Sequence, residues 1–463
     1  MSEFLKYVLW ILQNSLVLVL LAGIGVAVVL GISYSVHKHK YKGEKKFPWG
    51  KVFLWLIFIG YLAVVLYATT FRSSFGHRAF NLNLFRAWRE AWNNFSQHRW
   101  LNVLLNIAMF CPLGFLLPLL NNKYRKWYLS IPVSLLASLS IETFQLIFSS
   151  GVFDVDDLFC NTLGAVMGYL AIMLVLSMFN GKGKRLKPVI AYVCLLLILI
   201  FAIGSIFVAY HVQEYGNLPN AAGYRVNLDH LEWKVDCELS DSAENVPIYR
   251  ARTMSKADSD ALAEEMAALI GQNVDMVSYY QEMAYYNLNQ GIFLVNYHDG
   301  SYELGGFDHN ITEWDVVDRD VIETALEKYP IVIPDVAEFE SEGEGWYSFT
   351  CSQHIDGAMM LDGTIRVRYG EDDTIRRIEN NLVWYTYYKD APIISPEAAF
   401  EELKSGFFGS AEMLKCDSFD FVTVISCKLA HEIDTKGFYQ PVYSFEVLIP
   451  DTGTLVVMIP AMK

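Results

Sequence analysis

The segment SIETFQLIFSSGVFDVDDLFCNTLGAVMGY, residues 140–169, decides the fold of the first half of the chain. It places Glu142 inside one apolar run, follows it with an acidic turn, and opens a second apolar run with Asp157 and Asn161. An ionisable residue in a membrane-spanning helix costs about 2.5–3.5 kcal/mol on insertion scales, so it faces a protein interior or a watery cavity. The segment therefore predicts two membrane helices that form one wall of a polar pocket.

Charge divides the 463-residue chain near residue 210. The first part has 19 Lys and Arg against 7 Asp and Glu, and the second has 17 against 44, so balances of +12 and −27 make up the net charge of −15. This asymmetry indicates a membrane domain followed by an acidic domain in water. The negative charge of the second part argues against nucleic acid as a partner, because the phosphates would be repelled.

Six apolar segments reach the length of about 20 residues that a spanning helix needs. They cover approximately residues 7–34, 52–70, 101–120, 128–148, 157–179 and 188–210. The connections that begin near residues 37, 121 and 180 carry clusters of Lys and Arg. By the positive-inside rule these connections are cytoplasmic, which predicts that both termini and residues 211–463 are extracytoplasmic. The connection 71–100 is an exception, because it holds arginines on the side that should be poor in cations.

Residues 211–463 alternate between helical and strand patterns. Helices are predicted over 257–270 and 395–404, the second with Ser395 as its N-cap and Pro396 at its first position. Strands are predicted over 291–297, 365–369, 375–388, 419–429, 442–449 and 454–459. The fold class is therefore a polytopic α-helical membrane domain of about six spans plus an extracytoplasmic α+β domain with antiparallel sheet. Its predicted divisions are 1–48, 49–180, 181–210 and 211–463.

The predicted orientation brings polar residues from three spans to one depth. The third span enters from outside, the fourth leaves outward and the fifth begins outside, so their polar residues lie within about 9 Å of the outer surface. These residues are Asn106, Glu142, Gln145, Asp157 and Asn161, and the nearest cations are Arg72 and Arg99. One interpretation is a structural network of interhelical hydrogen bonds. The other is a site for an outer-leaflet ligand, because intramembrane acids mark functional sites by default.

An ordered set of motifs over about residues 50–180 resembles the VanZ-like membrane protein family. The motifs are Asn106, Phe110-x-Pro112-Leu113-Gly114, Ser140-x-Glu142-x-x-Gln145, Gly151 to Leu158 and Asn161-Thr162-Leu163-Gly164. The resemblance implies an integral membrane protein of the bacterial envelope, related to the accessory protein that gives low-level resistance to the glycopeptide teicoplanin. The family's pattern residues map onto Arg72, Asn106, Glu142, Gln145, Asp154, Asp157 and Asn161. Separately, residues 394–400 and 439–446 resemble extracytoplasmic PepSY-like and YycI-like modules, which are mostly binding or regulatory domains.

The sequence favours binding over catalysis, since no reaction-specific motif is present. The candidate ligand-binding residues are Arg72, Arg99, Asn106, Glu142, Gln145, Asp154, Asp157 and Asn161. We expect them to bind an anionic membrane lipid, a lipid-linked cell-wall precursor or a glycopeptide antibiotic, while residues 211–463 contact an envelope protein. The alternatives are an enzyme that acts on a polyprenyl-phosphate-type lipid, with Glu142 or Asp157 as general base or metal ligand, and an extracytoplasmic sensor or scaffold.

The seven cysteines give no metal or cofactor signal, because none has zinc-ligand spacing. We expect no cofactor and no resident metal. Cys237, Cys351, Cys416 and Cys427 lie beyond residue 210, where both disulfides and buried thiols are consistent with the sequence.

Overall fold

The chain divides into two compact units in a computed structural model. Unit 1 comprises residues 1–91 and 98–212, and unit 2 comprises residues 92–97 and 213–463. The structure describes residues 16–40, 48–71, 80–148, 151–179, 186–219, 224–280, 282–306, 316–370, 374–415 and 419–462.

Unit 1 consists mainly of helices, most of them long and apolar, together with the short strands β1 (Phe80–Asn81) and β2 (Phe153–Asp154). The helices are α1 (Leu16–Lys40), α2 (Trp49–Leu66), α3 (Arg86–Asn94), α4 (Gln97–Leu120), α5 (Trp127–Phe148), α6 (Val155–Phe179) and α7 (Leu186–Val212). Five segments of the described chain, Trp49–Thr69 and the helices α4 to α7, are long and apolar enough to cross a membrane. They confirm five of the six predicted spans. The predicted first span begins outside the described residues, and the apolar part of α1 covers Gly23–Ile32.

Helices α4 and α6 pack backbone to backbone in unit 1. A Cβ atom on Gly164 would overlap the carbonyl oxygen of Ile107, one on Gly168 would overlap that of Cys111, and one on Gly114 would overlap that of Ala165. Small residues let the two helix backbones come this close. The resulting van der Waals packing favours association of helices in lipid. The two helices are thereby held in a fixed register, which in turn fixes the polar side chains at their ends.

Unit 2 contains a large, mostly antiparallel sheet. Its strands are β3 (Glu232–Val235), β4 (Asn245–Ala251), β5 (Val274–Tyr279), β6 (Met283–Leu288), β7 (Ile292–Asn296), β8 (Tyr302–Gly305), β9 (Glu338–Gly343), β10 (Trp346–Asp356), β11 (Met359–Tyr369), β12 (Ile375–Asn380), β13 (Val383–Pro392), β14 (Phe421–Ile433), β15 (Phe438–Ile449) and β16 (Gly453–Pro460). The main path runs β3-β14-β15-β4-β13-β11-β12-β8-β7-β6-β5, with β10, β9 and β16 attached beside it. The parallel pair in this sheet is β3 with β14.

In the described part of unit 2, three α-helices pack against the sheet, and the buried residues form two main cores. The helices are α8 (Lys256–Leu269), α9 (Arg319–Leu326) and α10 (Pro396–Lys404). Residues of α8 and α9 pack with β6 to β8 and β10 to β12, and residues of α10 pack with β14 to β16. The predicted cap is confirmed, because Ala398 N donates to Ser395 Oγ at 3.2 Å and Pro396 begins the helix. The helices and the sheet confirm the predicted α+β class.

One predicted strand, 375–388, is two strands in the structure. Strands β12 and β13 are separated at Asn381 and Leu382, because Leu382 N donates to the side-chain Oδ1 of Asn380 at 3.2 Å and turns the chain. Such a side-chain turn is typical of Asn. The predicted hairpin at 370–373 agrees with the antiparallel pairing of β11 and β12, although residues 371–373 lie outside the described residues.

The beginning of unit 2 is anchored by a buried carboxylate, Asp434. It accepts hydrogen bonds from Gly216 N at 2.6 Å, from Lys436 N at 2.7 Å and from Phe438 N at 2.9 Å. Burial raises the pKa of this carboxyl above its ordinary value, and the donated hydrogen bonds oppose that rise. The segment that follows α7 is therefore fixed to the β14–β15 hairpin.

Candidate functional site

A two-residue parallel bridge begins the site in unit 1. Strands β1 (Phe80–Asn81) and β2 (Phe153–Asp154) pair with Asn81 opposite Asp154. The amide Nδ2 of Asn81 donates to both carboxylate oxygens of Asp154 at 3.0 Å. Asp154 Oδ1 also accepts from the backbone N of Asp156 at 2.8 Å, as an N-cap of α6 does. Asp154 thus joins the segment before α3 to the start of α6.

Asp156 caps α3 from a different part of the chain. Its carboxylate accepts from Phe85 N at 2.5 Å and from Ala87 N at 2.6 Å, and the side chain is fully buried. The first N–H groups of a helix have no partner within the helix, and the helix dipole favours a negative charge there. Phe85 has a φ of 68°, which a phenylalanine rarely adopts, so the capping bonds offset local backbone strain.

Glu142 and Asp157 lie on facing helices, and each accepts a hydrogen bond from a third element. Asp154 N donates to Glu142 Oε2 at 3.1 Å, and the amide of Asn106 on α4 donates to Asp157 Oδ1. Glu142 is buried at 2% exposure, whereas Asp157 and Asn106 are partly exposed. These hydrogen bonds connect Glu142 to the segment before α6, and Asp157 on α6 to α4.

Two further amides lie along the α5 helix. Asn161 Nδ2 donates to Ser138 Oγ at 2.9 Å, and Asn161 Oδ1 is buried with no hydrogen-bond partner among the described residues. Gln145 Nε2 donates to the carbonyl oxygen of Thr69 at 2.8 Å and so connects α5 to the end of the span Trp49–Thr69. Asn161 therefore belongs to the α5–α6 interface, and Gln145 lies beside it as a link to a second helix.

We call these acids and their amide partners the carboxylate cluster. It comprises Glu142, Asp154, Asp156, Asp157, Asn81, Asn106 and Asn161. In the described part of unit 1, the ion pairs join Arg86 and Arg99 to Glu90 at 2.7 Å, and none involves a carboxylate of the cluster. Nor do any three His, Cys, Asp or Glu side chains of the described ranges lie where they could share a metal ion. Every acid of the cluster accepts at least one hydrogen bond from an N–H donor.

The two arginines predicted to accompany the acids are placed differently. Arg99 Nη1 contacts Glu90 Oε2 at 2.7 Å rather than an acid of the cluster, and its side chain is 44% exposed. Arg72 lies outside the described residues. Among the remaining candidates, Asn106 bonds Asp157, and Glu142 bonds the backbone of Asp154. The other two, Gln145 and Asn161, bond Thr69 and Ser138 instead.

The part of the chain that contains these acids matches a known sequence family. Residues 54–176 match the VanZ/LLP1 family. This match confirms the resemblance expected over about residues 50–180, and we call residues 54–176 the VanZ-like region. Every member of the carboxylate cluster falls within it. The chain therefore contains a region similar to the VanZ/LLP1 family, and its described residues include five helices long and apolar enough to cross a membrane.

The comparison with solved structures returned matches that include the Bacillus megaterium YpeB C-terminal domain. The identity is 13%, the TM-score is 0.19, and the match covers 46% of this chain and 95% of that chain. A likeness at this level carries no argument about function. The comparison with curated proteins gave no match.

Three residues of the site were not among the predicted candidates: Asn81, Ser138 and Asp156. Asp156 lies in the acidic turn, but its capping role depends on Phe85 and Ala87, which are about 70 residues earlier in the chain. Ser138 carried a usable signal, because it lies one helical turn before Glu142 on the same face. No comparable sequence signal marked Asn81, because its partner Asp154 is 73 residues away in the chain.

Proposed function

We propose that the chain is an envelope membrane protein whose carboxylate cluster binds the head group of a lipid-linked cell-wall precursor in the outer leaflet. The observation that carries the proposal is the grouping of four carboxylates within residues 142–157, three of which accept hydrogen bonds from residues 81–106, without an ion pair among the described residues. An acidic residue within a membrane span makes insertion into the membrane less favourable. Its presence there therefore supports a role in binding a ligand.

The chemistry of the cluster selects the part of the ligand that it contacts. Ionised carboxylates only accept hydrogen bonds, so they suit hydroxyl, amide N–H and ammonium groups. The sugar and peptide of a cell-wall precursor offer these groups, whereas its phosphates would be repelled by the acids. We assign the phosphates to Arg72 and Arg99, because an arginine fork fits phosphate oxygens.

The side chains of the cluster differ in how far they are exposed. Asp154, Asp157 and Asn106 are partly exposed, while Glu142 and Asp156 are buried behind them. In this proposal the head group meets Asp154 and Asp157 first, and Glu142 is the deepest acceptor. The orientation predicted from the basic connections supports an opening of the cluster toward the outside.

The proposal extends to glycopeptide resistance. Teicoplanin-type antibiotics act on the precursor at the outer surface, so a protein that binds the same head group would lower the amount that the antibiotic captures. The VanZ-like region supports this extension through the resemblance described above. Cells that express the chain should then tolerate more teicoplanin than cells that express the Glu142→Gln variant.

Binding measured with full-length protein in lipid nanodiscs tests the proposal. The ligand is a fluorescently labelled lipid-linked disaccharide-pentapeptide, and the variants are Glu142→Gln and Asp157→Asn. Loss of one charged hydrogen bond costs about 1.5–3 kcal/mol, so each variant should bind at least about tenfold more weakly. Thr143→Val is the matched control, because Thr143 is exposed on the same helix and bonds only the carbonyl of Leu139. Equal affinities of wild type and Glu142→Gln would refute the proposal.

A further inference from the structure

Two cysteines of unit 2 lie near the paired parallel strands β3 and β14: Cys237 is two residues past the end of β3, and Cys427 is in β14. Strand β3 pairs with β14 so that Trp233 lies opposite Val422 and Val235 lies opposite Val424. The pairing continues past the end of β3, because Asp236 N donates to Val424 O at 2.8 Å. Side chains alternate along a strand, so the next residue on the face of Trp233 and Val235 is Cys237.

A bulge in β14 brings Cys427 to the same face. The register of β14 against β15 shifts between Val424 and Ser426, which inserts one extra residue in β14. After this bulge, Cys427 pairs with Phe445, which is fully buried in the core beneath α10. Cys237 and Cys427 both pack against that core as partly buried side chains. Without the bulge, Ser426 would take the position beside Cys237.

We propose that Cys237 and Cys427 form a disulfide that joins β3 to β14. Neighbouring strands lie about 4.8 Å apart, which is within the range of Cα separations, about 4.4–6.8 Å, that a disulfide bridges. Besides burial, the neighbouring Cys237 raises the pKa of the Cys427 thiol. Both cysteines are free thiols in the structure, so the described form is the reduced one.

Oxidation of this pair needs an external disulfide as the oxidant. The two thiols lose two protons and two electrons as the sulfur–sulfur bond forms, and the oxidant, a protein disulfide or glutathione disulfide, is reduced to two thiols. Burial raises the pKa of Cys427 to about 11 and also raises the pKa of Cys237. Since the thiolate is the reacting form, the bond should form slowly and faster at higher pH.

The bond would close a loop that contains most of unit 2. Strands β4 to β13 and helices α8 to α10 all lie between the two cysteines in the chain. A cross-link around a long loop stabilises a fold mainly by restricting its unfolded state. Oxidation should therefore raise the unfolding temperature of unit 2 by several degrees relative to the reduced protein.

Peptide mapping of the full-length protein tests the disulfide without relying on a variant. Reduced protein in detergent is incubated with glutathione disulfide, quenched, unfolded, labelled with a maleimide and digested. The expected result is a linked peptide pair containing Cys237 and Cys427, and the loss of two labelled thiols. A reducing agent should separate the pair.

Matched variants assign the bond to these two cysteines. Cys351→Ala should keep the linked pair, because Cys351 is buried in the other core at 4% exposure. Cys237→Ser and Cys427→Ser should each abolish it and leave the remaining thiol labelled or bound to glutathione. Complete labelling of every thiol after oxidation of the wild type would overturn the proposal, and so would a linked peptide with a different partner cysteine.

Discussion

At the scale of single residues, the acids of unit 1 are distinguished by what holds them. Asp156 accepts from two backbone N–H groups of another segment, whereas Glu142 and Asp157 each accept one donor, and Asp154 accepts from the side chain of Asn81 and from the backbone of Asp156. Buried polar groups need such partners, because an unpaired one costs about 1–3 kcal/mol. Asp156 therefore stabilises the fold of the site, and we propose that Glu142, Asp154 and Asp157 accept hydrogen bonds from a ligand.

Replacement of Asp156 tests its role in stabilising the fold of the site. In Asp156→Ala, Phe85 N and Ala87 N lose their buried acceptor, so the α3 start should be destabilised by about 2–4 kcal/mol. Amide hydrogen exchange at Phe85 and Ala87 should accelerate accordingly in full-length protein in detergent. Asn102→Ala, at an exposed position on α4, should leave the exchange at both amides unchanged. Unaltered protection in Asp156→Ala would show that the cap does not hold this helix.

In unit 2, the buried side chain of His431 should make the free energy of unfolding depend on pH. Burial lowers its pKa below the ordinary value of 6.5, and Nε2 lies 2.9 Å from the carbonyl oxygen of Pro247. Unfolding restores the ordinary pKa, so the unfolded state binds the proton at a higher pH than the folded state does. The contribution of His431 is fully present above pH 6.5 and is lost as the pH falls from 6.5 toward the lowered pKa of the folded state.

Calorimetric unfolding of the full chain on both sides of that pH checks the sign. His431→Gln should lose less stability on acidification than the wild type, whereas His354→Gln, at an exposed position of β10, should behave like the wild type. His298 contributes in the same direction, since burial lowers its pKa too, so the slope should shrink rather than vanish. A steeper acid-induced loss in His431→Gln would contradict the assignment.

Many residues of the site could be predicted from the sequence, but the hydrogen bonds between them could not. The apolar setting of Glu142 and the four-residue spacing of Asp157 and Asn161 placed them on helices that face one another. The partners were hidden, because Asn81 and Asp154 are joined by a contact that spans 73 residues. The expected pairing of acids with Arg99 was not found, since Glu90 is nearer to Arg99 on the adjoining helix.

At the scale of elements, the closeness of α4 and α6 sets the geometry of the cluster. Gly164→Ala would place a methyl group against the carbonyl oxygen of Ile107, so the helices must separate. Overpacking of this kind costs about 1–3 kcal/mol, and it should also lengthen the contact between Asn106 and Asp157. We expect a lower unfolding temperature in detergent and weaker binding of the precursor.

Gly204→Ala on α7 is the control for this packing prediction. Nothing lies within 4 Å of a Cβ atom at Gly204, and alanine favours a helix over glycine. Its unfolding temperature should equal or exceed that of the wild type. Equal stability of Gly164→Ala and the wild type would mean that the two helices are not fixed by this contact.

Helices and strands could be predicted from the sequence where the pattern of apolar residues or a helix cap was clear. Runs of about 20 apolar residues gave the five spans, and the Ser395-Pro396 start gave α10. Boundaries failed where a side chain redirected the backbone, as Asn380 does between β12 and β13. The bulge in β14 was equally hidden, because it depends on the register of β15 rather than on the residues of β14.

At the scale of the whole molecule, charge and hydropathy assign different solvents to the two units. The balance of +12 before residue 210 and −27 after it corresponds to the membrane helices of unit 1 and the sheet of unit 2. The VanZ-like region confines the matched family to the first of these. The proposed binding function therefore belongs to unit 1, and unit 2 adds a separately folded acidic domain.

Site-specific photo-crosslinking locates the ligand and tests the central claim most directly. A photoreactive phenylalanine analogue replaces Val152, an exposed residue directly before β2, or Val208, an exposed residue of α7. With labelled lipid-linked precursor in nanodiscs, the account predicts strong crosslinking at residue 152, its competition by unlabelled precursor, its loss in Glu142→Gln, and none above background at residue 208. Equal labelling at both positions, or labelling at residue 152 that persists unchanged in Glu142→Gln, would contradict it.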